Sequence, residues 1–139
     1  MRSMATGAQF QEQVTVTGEI ISRFADASGD HNPLHVDAEY ARKTLFGRRI
    51  AHGAWLIARF SRILASELPG PGTIYLSQET TFRSPAYIDD RITFAVKVVE
   101  IDAGRKRVKL ETTATNQDGV VVASGFALTK ISDLSPEEG

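Results

Sequence analysis

The sequence predicts an α+β domain in which one antiparallel sheet of about five strands wraps around a single long helix. Three observations carry this. Apolar residues recur with the helical period between residues 52 and 70 and with a period of two after Thr73. Four alternating segments then follow one another, with turn residues between the last three. The 139 residues contain no internal repeat, low-complexity run or linker, so one core is expected.

In chain order, "QVTVT" (13–17) alternates and predicts a short strand. Thr17 can cap a helix running through "GEIISRFADA", where Ile20, Ile21 and Phe24 share a stripe and Gly29 sits where a left-handed stop belongs. Asp37 suits the N-cap of a second short helix, "AEYARKT". "HGAWLIARFSRILASELPG" is the longest helical signal. Ile57, Phe60, Leu64 and Leu68 follow its apolar stripe, Arg59, Arg62 and Ser66 mark a narrow polar edge, and "LPGPG" ends it. So apolar a helix needs enclosure. The strands are "TIYLSQETTF", "RITFAVKVVEI", "KRVKLETTATN" and "VVVASGFALTKI"; "DAGR" and "NQDGV" are hairpin turns, with Asp118-Gly119 read as a two-residue turn. A curved sheet around a central helix satisfies both signals, and the hotdog architecture is its simplest form. Residues 1–8 read as a flexible extension, 9–132 as the domain and 133–139 as a flexible tail.

Composition removes several function classes. The absence of cysteine rules out disulfides, thiolate nucleophiles and Cys-ligated zinc. Sixteen basic against 17 acidic residues leave a net charge of −1, which offers no bulk attraction to nucleic acid or membrane surfaces. No apolar run approaches the roughly 20 residues of a membrane helix, and "MRSMATGAQF" lacks an apolar signal region, so a cytoplasmic protein is expected.

The unusual stretch is "SGDHNPLHVD", residues 28–37. His31 and His35 would share a helical face, as metal ligands do, but Pro33 disfavours helical backbone at Asn32 and predicts an extended turn. His52 is distant in sequence with no carboxylate at ligand spacing, so no metal is expected. Asp30 and His35 are the better pair, because a stiff Asn-Pro turn between them can aim both at one bound water for acid–base work. Spacing alone favours a capping or turn network, in which Asp30 satisfies free backbone N–H groups, and Asp37 is assigned to such a structural role. A second element is "AHGAW". It places Gly53 in the first turn of the long helix, where free N–H groups and the positive dipole end gather and a missing side chain admits a ligand oxygen. The bland readings are a tight entry turn for Gly53, a ring on a backbone carbonyl for His52, and for Ser61, two turns on, a hydroxyl bonded to its own helix.

These residues resemble a known family. "FADASGDHNPLHVDAEYA" is similar to the hydratase motif of MaoC-like (R)-specific enoyl-CoA hydratases, which include the PhaJ-type hydratases of polyhydroxyalkanoate synthesis. The likeness continues through "TLFGRRIAHGAWL", "GTIYLSQETTFRSPAYIDD" and "GFALTKI", from about residue 10 to 131, and "GDxNPLHxD" is its specific part. The resemblance implies a hotdog homodimer with sheets joined edge to edge, binding an acyl-CoA thioester and no nucleic acid or membrane. It implies reversible syn addition of water to a trans-2-enoyl-CoA, giving the (R)-3-hydroxyacyl-CoA. Asp30 and His35 would then activate the water and handle the proton for the α-carbon, and the Gly53 N–H would bind the thioester oxygen. Asn32 and Ser61 would orient the pair, and Leu64 and Leu128 would line the acyl end. No cofactor is implied, because coenzyme A belongs to the substrate; Arg48, Arg49, Arg83 and Lys106 are candidates for its phosphates, with plain surface solvation the better reading of each. Two residues depart from the pattern. Arg49 stands where relatives carry proline, and Trp55 is bulky for its place after "HG", reshaping the acyl pocket if it faces the tunnel and filling core if it faces the sheet. His31 is assigned no role. The competing readings are a 3-hydroxyacyl-[acyl-carrier-protein] dehydratase, a thioesterase, and a non-catalytic acyl-thioester-binding subunit. An intact Asp30 and His35 favour an enzyme.

Overall fold

The computed structural model of the chain describes residues 2–135. Alternation makes the strands: β1 (Gln9–Thr15), β2 (Ile74–Phe82), β3 (Arg91–Asp102), β4 (Arg107–Thr115) and β5 (Val121–Lys130). They form one antiparallel sheet in the order β1-β3-β4-β5-β2. Between β1 and β2 lie α1 (Gly18–Ser28), α2 (Pro33–Val36), α3 (Ala38–Arg42) and α4 (Gly53–Ser66).

The period of two puts Ile92, Phe94, Val96 and Val98 of β3 on the same buried face as Val108, Leu110 and Ala114 of β4. Helix α4 lays Trp55, Phe60, Ile63 and Leu64 into that face. Phe94 meets Trp55 and Phe60 edge to face, with centroids 5.8 and 5.5 Å apart. Each such side chain contributes about 1.5–3 kcal/mol on burial. The polar edge of α4 finds its counter-charge on β1, where Glu12 pairs with Arg59 and Arg62, both at 2.9 Å. Gly125 permits the β5–β2 pairing, because a Cβ there would lie 1.7 Å from the Glu79 carbonyl oxygen.

The predicted caps form. The Thr17 side chain accepts the Ile20 N–H at 3.1 Å, Gly29 closes α1 at φ 80°, and Asp37 accepts the Tyr40 N–H at 3.1 Å. Three details differ from expectation. β1 starts at Gln9 rather than Gln13, because its pairing with β3 reaches Lys97. The second hairpin is not a two-residue Asp-Gly turn: Asn116 N–H reaches the Val120 carbonyl, the Asn116 side chain accepts the Asp118 and Val120 N–H groups, and only Gly119 takes a left-handed φ, 76°. The chain ends also meet. Arg2 pairs with Leu134, Arg2 N–H donates to Asp133 O at 2.6 Å, and Ser135 N–H donates to Arg2 O at 2.7 Å. Met1 and residues 136–139, read as parts of flexible segments, lie outside the described residues. Among the described residues no helix is long and apolar enough to cross a membrane.

Candidate active site

The loop after α1 is held by its own polar side chains. The Ser28 hydroxyl donates to Phe24 O at 2.7 Å and accepts the Asp30 N–H at 3.2 Å. Asp30 Oδ1 accepts the Asn32 N–H at 3.2 Å, and Asn32 Oδ1 accepts the Leu34 N–H at 3.1 Å. Pro33 does not keep this stretch extended. It starts the one-turn helix α2, where a missing N–H costs nothing, and restricts only Asn32, at φ −52° and ψ 124°. That turn sends the two neighbouring histidines apart. His31 stays exposed on Asp26 at 3.0 Å, a bond that raises its pKa, while His35 is buried.

The His35 ring is fixed by Nδ1, which lies 2.8 Å from Ile50 O. A carbonyl only accepts, so Nδ1 carries the hydrogen, and in the neutral ring Nε2 keeps a lone pair. Ile50 N–H reaches Leu34 O at 3.4 Å, and Arg49 Nε donates to His35 O at 2.6 Å. Arg49, the departure from the expected proline, therefore clamps the helical turn that carries His35. Arg48 lies over the Tyr87 ring at 4.0 Å.

His52 is brought to the same place, which its distance along the chain concealed. It is 1% exposed, its Nε2 donates to the Asp30 carbonyl at 3.0 Å, and its ring stacks on His35 with centroids 4.0 Å apart. Phe24 meets it edge-on at 4.9 Å. Burial pushes its pKa down, and Nδ1 is buried with no hydrogen-bond partner. Asp30, His35 and His52 each offer a donor atom within 4.8 Å of the others, the kind of set that can hold a metal ion. A shared ion must lie near both ring planes, however, and rings stacked at 29° do not aim two lone pairs at one nearby point.

Gly53 opens α4, and neither its N–H nor that of Ala54 makes a backbone bond among the described residues. These are the free donors expected at the positive end of a helix dipole. A Cβ on Gly53 would come within 2.7 Å of the Phe82 ring. A cavity of about 520 Å³ opens here, walled by His35, Gly53 and Ala54 together with Phe46, Ile50, Leu56, Phe82, Arg83, Ser84, Pro85 and Ala86. Its walls are mostly apolar, so charge placed beside His35 and Gly53 is poorly screened.

The fold thus gathers Asp30, Asn32, His35 and Gly53. Ser61 is half-buried on α4, and its hydroxyl makes no hydrogen bond to Asp30. Trp55 and Leu64 lie in the core under the sheet, Trp55 against Phe94. Leu128 stands on the face of β5 opposite the buried Ala127 and Thr129, in a cleft with Lys109, Arg107 and Glu100. Lys106 is engaged by Leu134 O at 2.6 Å, whereas Arg83 borders the cavity and donates to Ser124 Oγ at 2.6 Å. Sequence reading gave His52 only a ring on a backbone carbonyl, which the Asp30 carbonyl supplies, and assigned no role to Phe46 or Phe82. They face the site only because α4, the loop before it and the end of β2 converge.

Residues 2–120 match the family described as MaoC like domain. A 3-hydroxybutyryl-CoA dehydratase from Methylorubrum extorquens is 42% identical over 108 residues, covering 78% of this chain and 68% of that protein. An (R)-specific enoyl-CoA hydratase from Aeromonas caviae is 37% identical over 111 residues, covering 80% of this chain and 83% of that protein. Among solved structures, the (R)-hydratase from A. caviae involved in PHA biosynthesis superposes with a TM-score of 0.89 at 33% identity, covering 92% of this chain and 97% of that one.

Proposed function

This chain belongs to the MaoC-like family, and from that premise we propose that it catalyses the reversible syn hydration of trans-2-enoyl-CoA to (R)-3-hydroxyacyl-CoA, as a hydro-lyase of hotdog fold. The single observation that carries the reading is His35, which has a ring nitrogen within 4.8 Å of an Asp30 carboxylate oxygen and, together with the Gly53 turn, walls one apolar cavity. Water held between Asp30 and the free Nε2 of His35 is turned towards C3 of the enoyl chain. As its oxygen bonds to C3, one of its protons passes to the pair and one proton passes from the pair to C2 on the same face. The pair therefore ends the cycle in the protonation state in which it began. Between these events the thioester oxygen carries enolate charge, and the Gly53 N–H meets it; such a donor contributes about 3–4 kcal/mol to the transition state. Nothing in these steps calls for a cofactor beyond the coenzyme A that the substrate brings.

The coenzyme A arm is the part of the substrate that needs a cation, and Arg83 at the cavity rim suits its phosphates. We read the working unit as a cytoplasmic homodimer. β2 ends the sheet with a free edge and exposes Ile74 and Leu76 beside it, a strand that a second copy would cover.

Loss of enoyl-thioester absorbance on mixing the protein with crotonyl-CoA tests the reaction. Rapid loss is expected, reduced on the order of 10²–10⁴ in Asp30→Asn. No loss with any acyl length on coenzyme A would overturn the proposal.

A further inference from the structure

We infer that His52 is a positioning residue for the hydration: its Nε2–H bond to the Asp30 carbonyl and its stack on His35 hold the acid–base pair in register with Gly53, the next residue in the chain. The inference rests on the reading that Asp30, His35 and Gly53 are the reacting groups.

His52 stands at the N-cap of α4, a position where Ser, Thr, Asp or Asn normally accepts a helix N–H, and its side chain makes no such bond. Capping therefore does not explain a histidine here. Packing does not explain it either. An aromatic hydrocarbon would fill the space beside Phe24 and His35 without leaving a buried Nδ1 unpartnered. What a histidine adds over that hydrocarbon is one donor, and that donor is spent on the main chain of Asp30. The other bonds of the loop, from Ser28 and Asn32, hold the N–H and carboxylate of Asp30 and leave its carbonyl to His52.

One residue consequently touches all three reacting groups: Asp30 by a hydrogen bond, His35 by ring contact and Gly53 by the peptide chain. The titratable groups facing it are Asp30 and His35, with His31 beyond them. Its burial favours the neutral ring, and the Asp30 carbonyl selects the Nε2–H tautomer of that ring. A neutral strut keeps its bond while the pair beside it takes up and releases a proton.

His52→Gln places an amide N–H where Nε2 stood, and His52→Phe keeps a ring without the donor. Three readouts are taken on both: kcat and KM for crotonyl-CoA, thermal unfolding, and amide hydrogen exchange over residues 30–35. Imidazole ¹⁵N NMR of the wild type reads the tautomer. The expected result is an Nε2–H tautomer, with His52→Gln within about threefold of wild type in kcat. His52→Phe should lose on the order of 10²-fold in kcat, with KM within about twofold and faster exchange at 30–35. An Nδ1–H tautomer overturns the inference. So does a His52→Phe protein with wild-type kcat and exchange, or a folded His52→Gln that falls as far as His52→Phe. If His52→Phe does not fold, His52→Gln decides alone, since rescue by a bare donor is the claim. If the wild type is inert on every enoyl-CoA, the functional reading fails by itself. The exchange data still judge the strut, which stands if residues 30–35 loosen only without the donor and falls if they exchange alike in all three proteins.

Discussion

The imidazole rings of His35 and His52 lie stacked, with centroids 4.0 Å apart and planes inclined by 29°, and the two bind different carbonyls, those of Ile50 and Asp30. Each ring is thereby tied to the segment of chain that leads into the other. The loop of Asp30, the turn of His35 and the start of α4 form one unit, and its chemistry and stability respond together to pH and substitution.

Stability should fall in mild acid through His52. Burial lowers its pKa in the folded protein from the ordinary value of 6.5, so just below that pH the unfolded chain binds the extra proton and the native state does not. The contribution is complete above about pH 6.5 and is lost as pH drops towards the folded value. Thermal unfolding at pH 7.5 and 5.5 should show a larger drop for wild type than for His52→Gln. His31 acts with the opposite sign, because its bond to Asp26 raises its pKa and favours the fold below about pH 6.5. Being exposed, it should make a small difference, visible on comparison with Asp26→Asn.

The oxyanion assignment separates cleanly at Gly53. Gly53→Ala keeps the N–H and adds a Cβ that Phe82, itself half exposed, must make room for. Gly53→Pro adds similar bulk and removes the N–H, at a first-turn position that tolerates proline, after a residue with φ −61° and ψ 135°. Relative to Gly53→Ala, kcat of Gly53→Pro should fall about 10²–10³-fold with the fold intact by circular dichroism. Equal rates would remove the Gly53 N–H from the mechanism.

Arg49 should matter through His35. Replacing it by Met keeps the stem and removes the Nε–H that His35 O accepts at 2.6 Å. A loss of about 1.5–3 kcal/mol in stability is the upper range for a charged donor, and partial exposure lowers it towards about 1 kcal/mol. Denaturant titration measures that loss, and kcat should fall more than KM changes.

Arg83 should act on binding rather than chemistry. In Arg83→Ala, KM for crotonyl-CoA should rise several-fold with kcat held, and the salt dependence of KM should weaken. A short enoyl thioester lacking the nucleotide should not distinguish the two proteins.

Gly125→Ala should break the sheet rather than the site. Its Cβ would lie 1.7 Å from Glu79 O, so β2 must leave β5 or bend away. We expect a loss of about 3–4 kcal/mol in equilibrium unfolding, with Gly119→Ala, which meets nothing nearby, costing about 1 kcal/mol from its positive φ.

Much of this protein follows from chemistry that acts over a few residues. Alternation set the four consecutive strands, the helical period set α4, and Thr17, Gly29 and Asp37 bounded their helices, because a cap or a φ restriction depends on immediate neighbours alone. That Asp30 satisfies a nearby backbone N–H was readable for the same reason, whereas the bond Asn32 Oδ1 makes to Leu34 N–H came only with the structure. Proline at the start of α2 was misread because its preference for a first helical position and its effect on the preceding residue look alike in sequence. The placement of His52 on Asp30 and His35, of Phe82 over Gly53, of Arg49 on His35 O, and of Trp55 and Leu64 in the core came from tertiary packing. Those contacts join segments distant in the chain, and periodicity tells which face of an element is buried without telling what it is buried against.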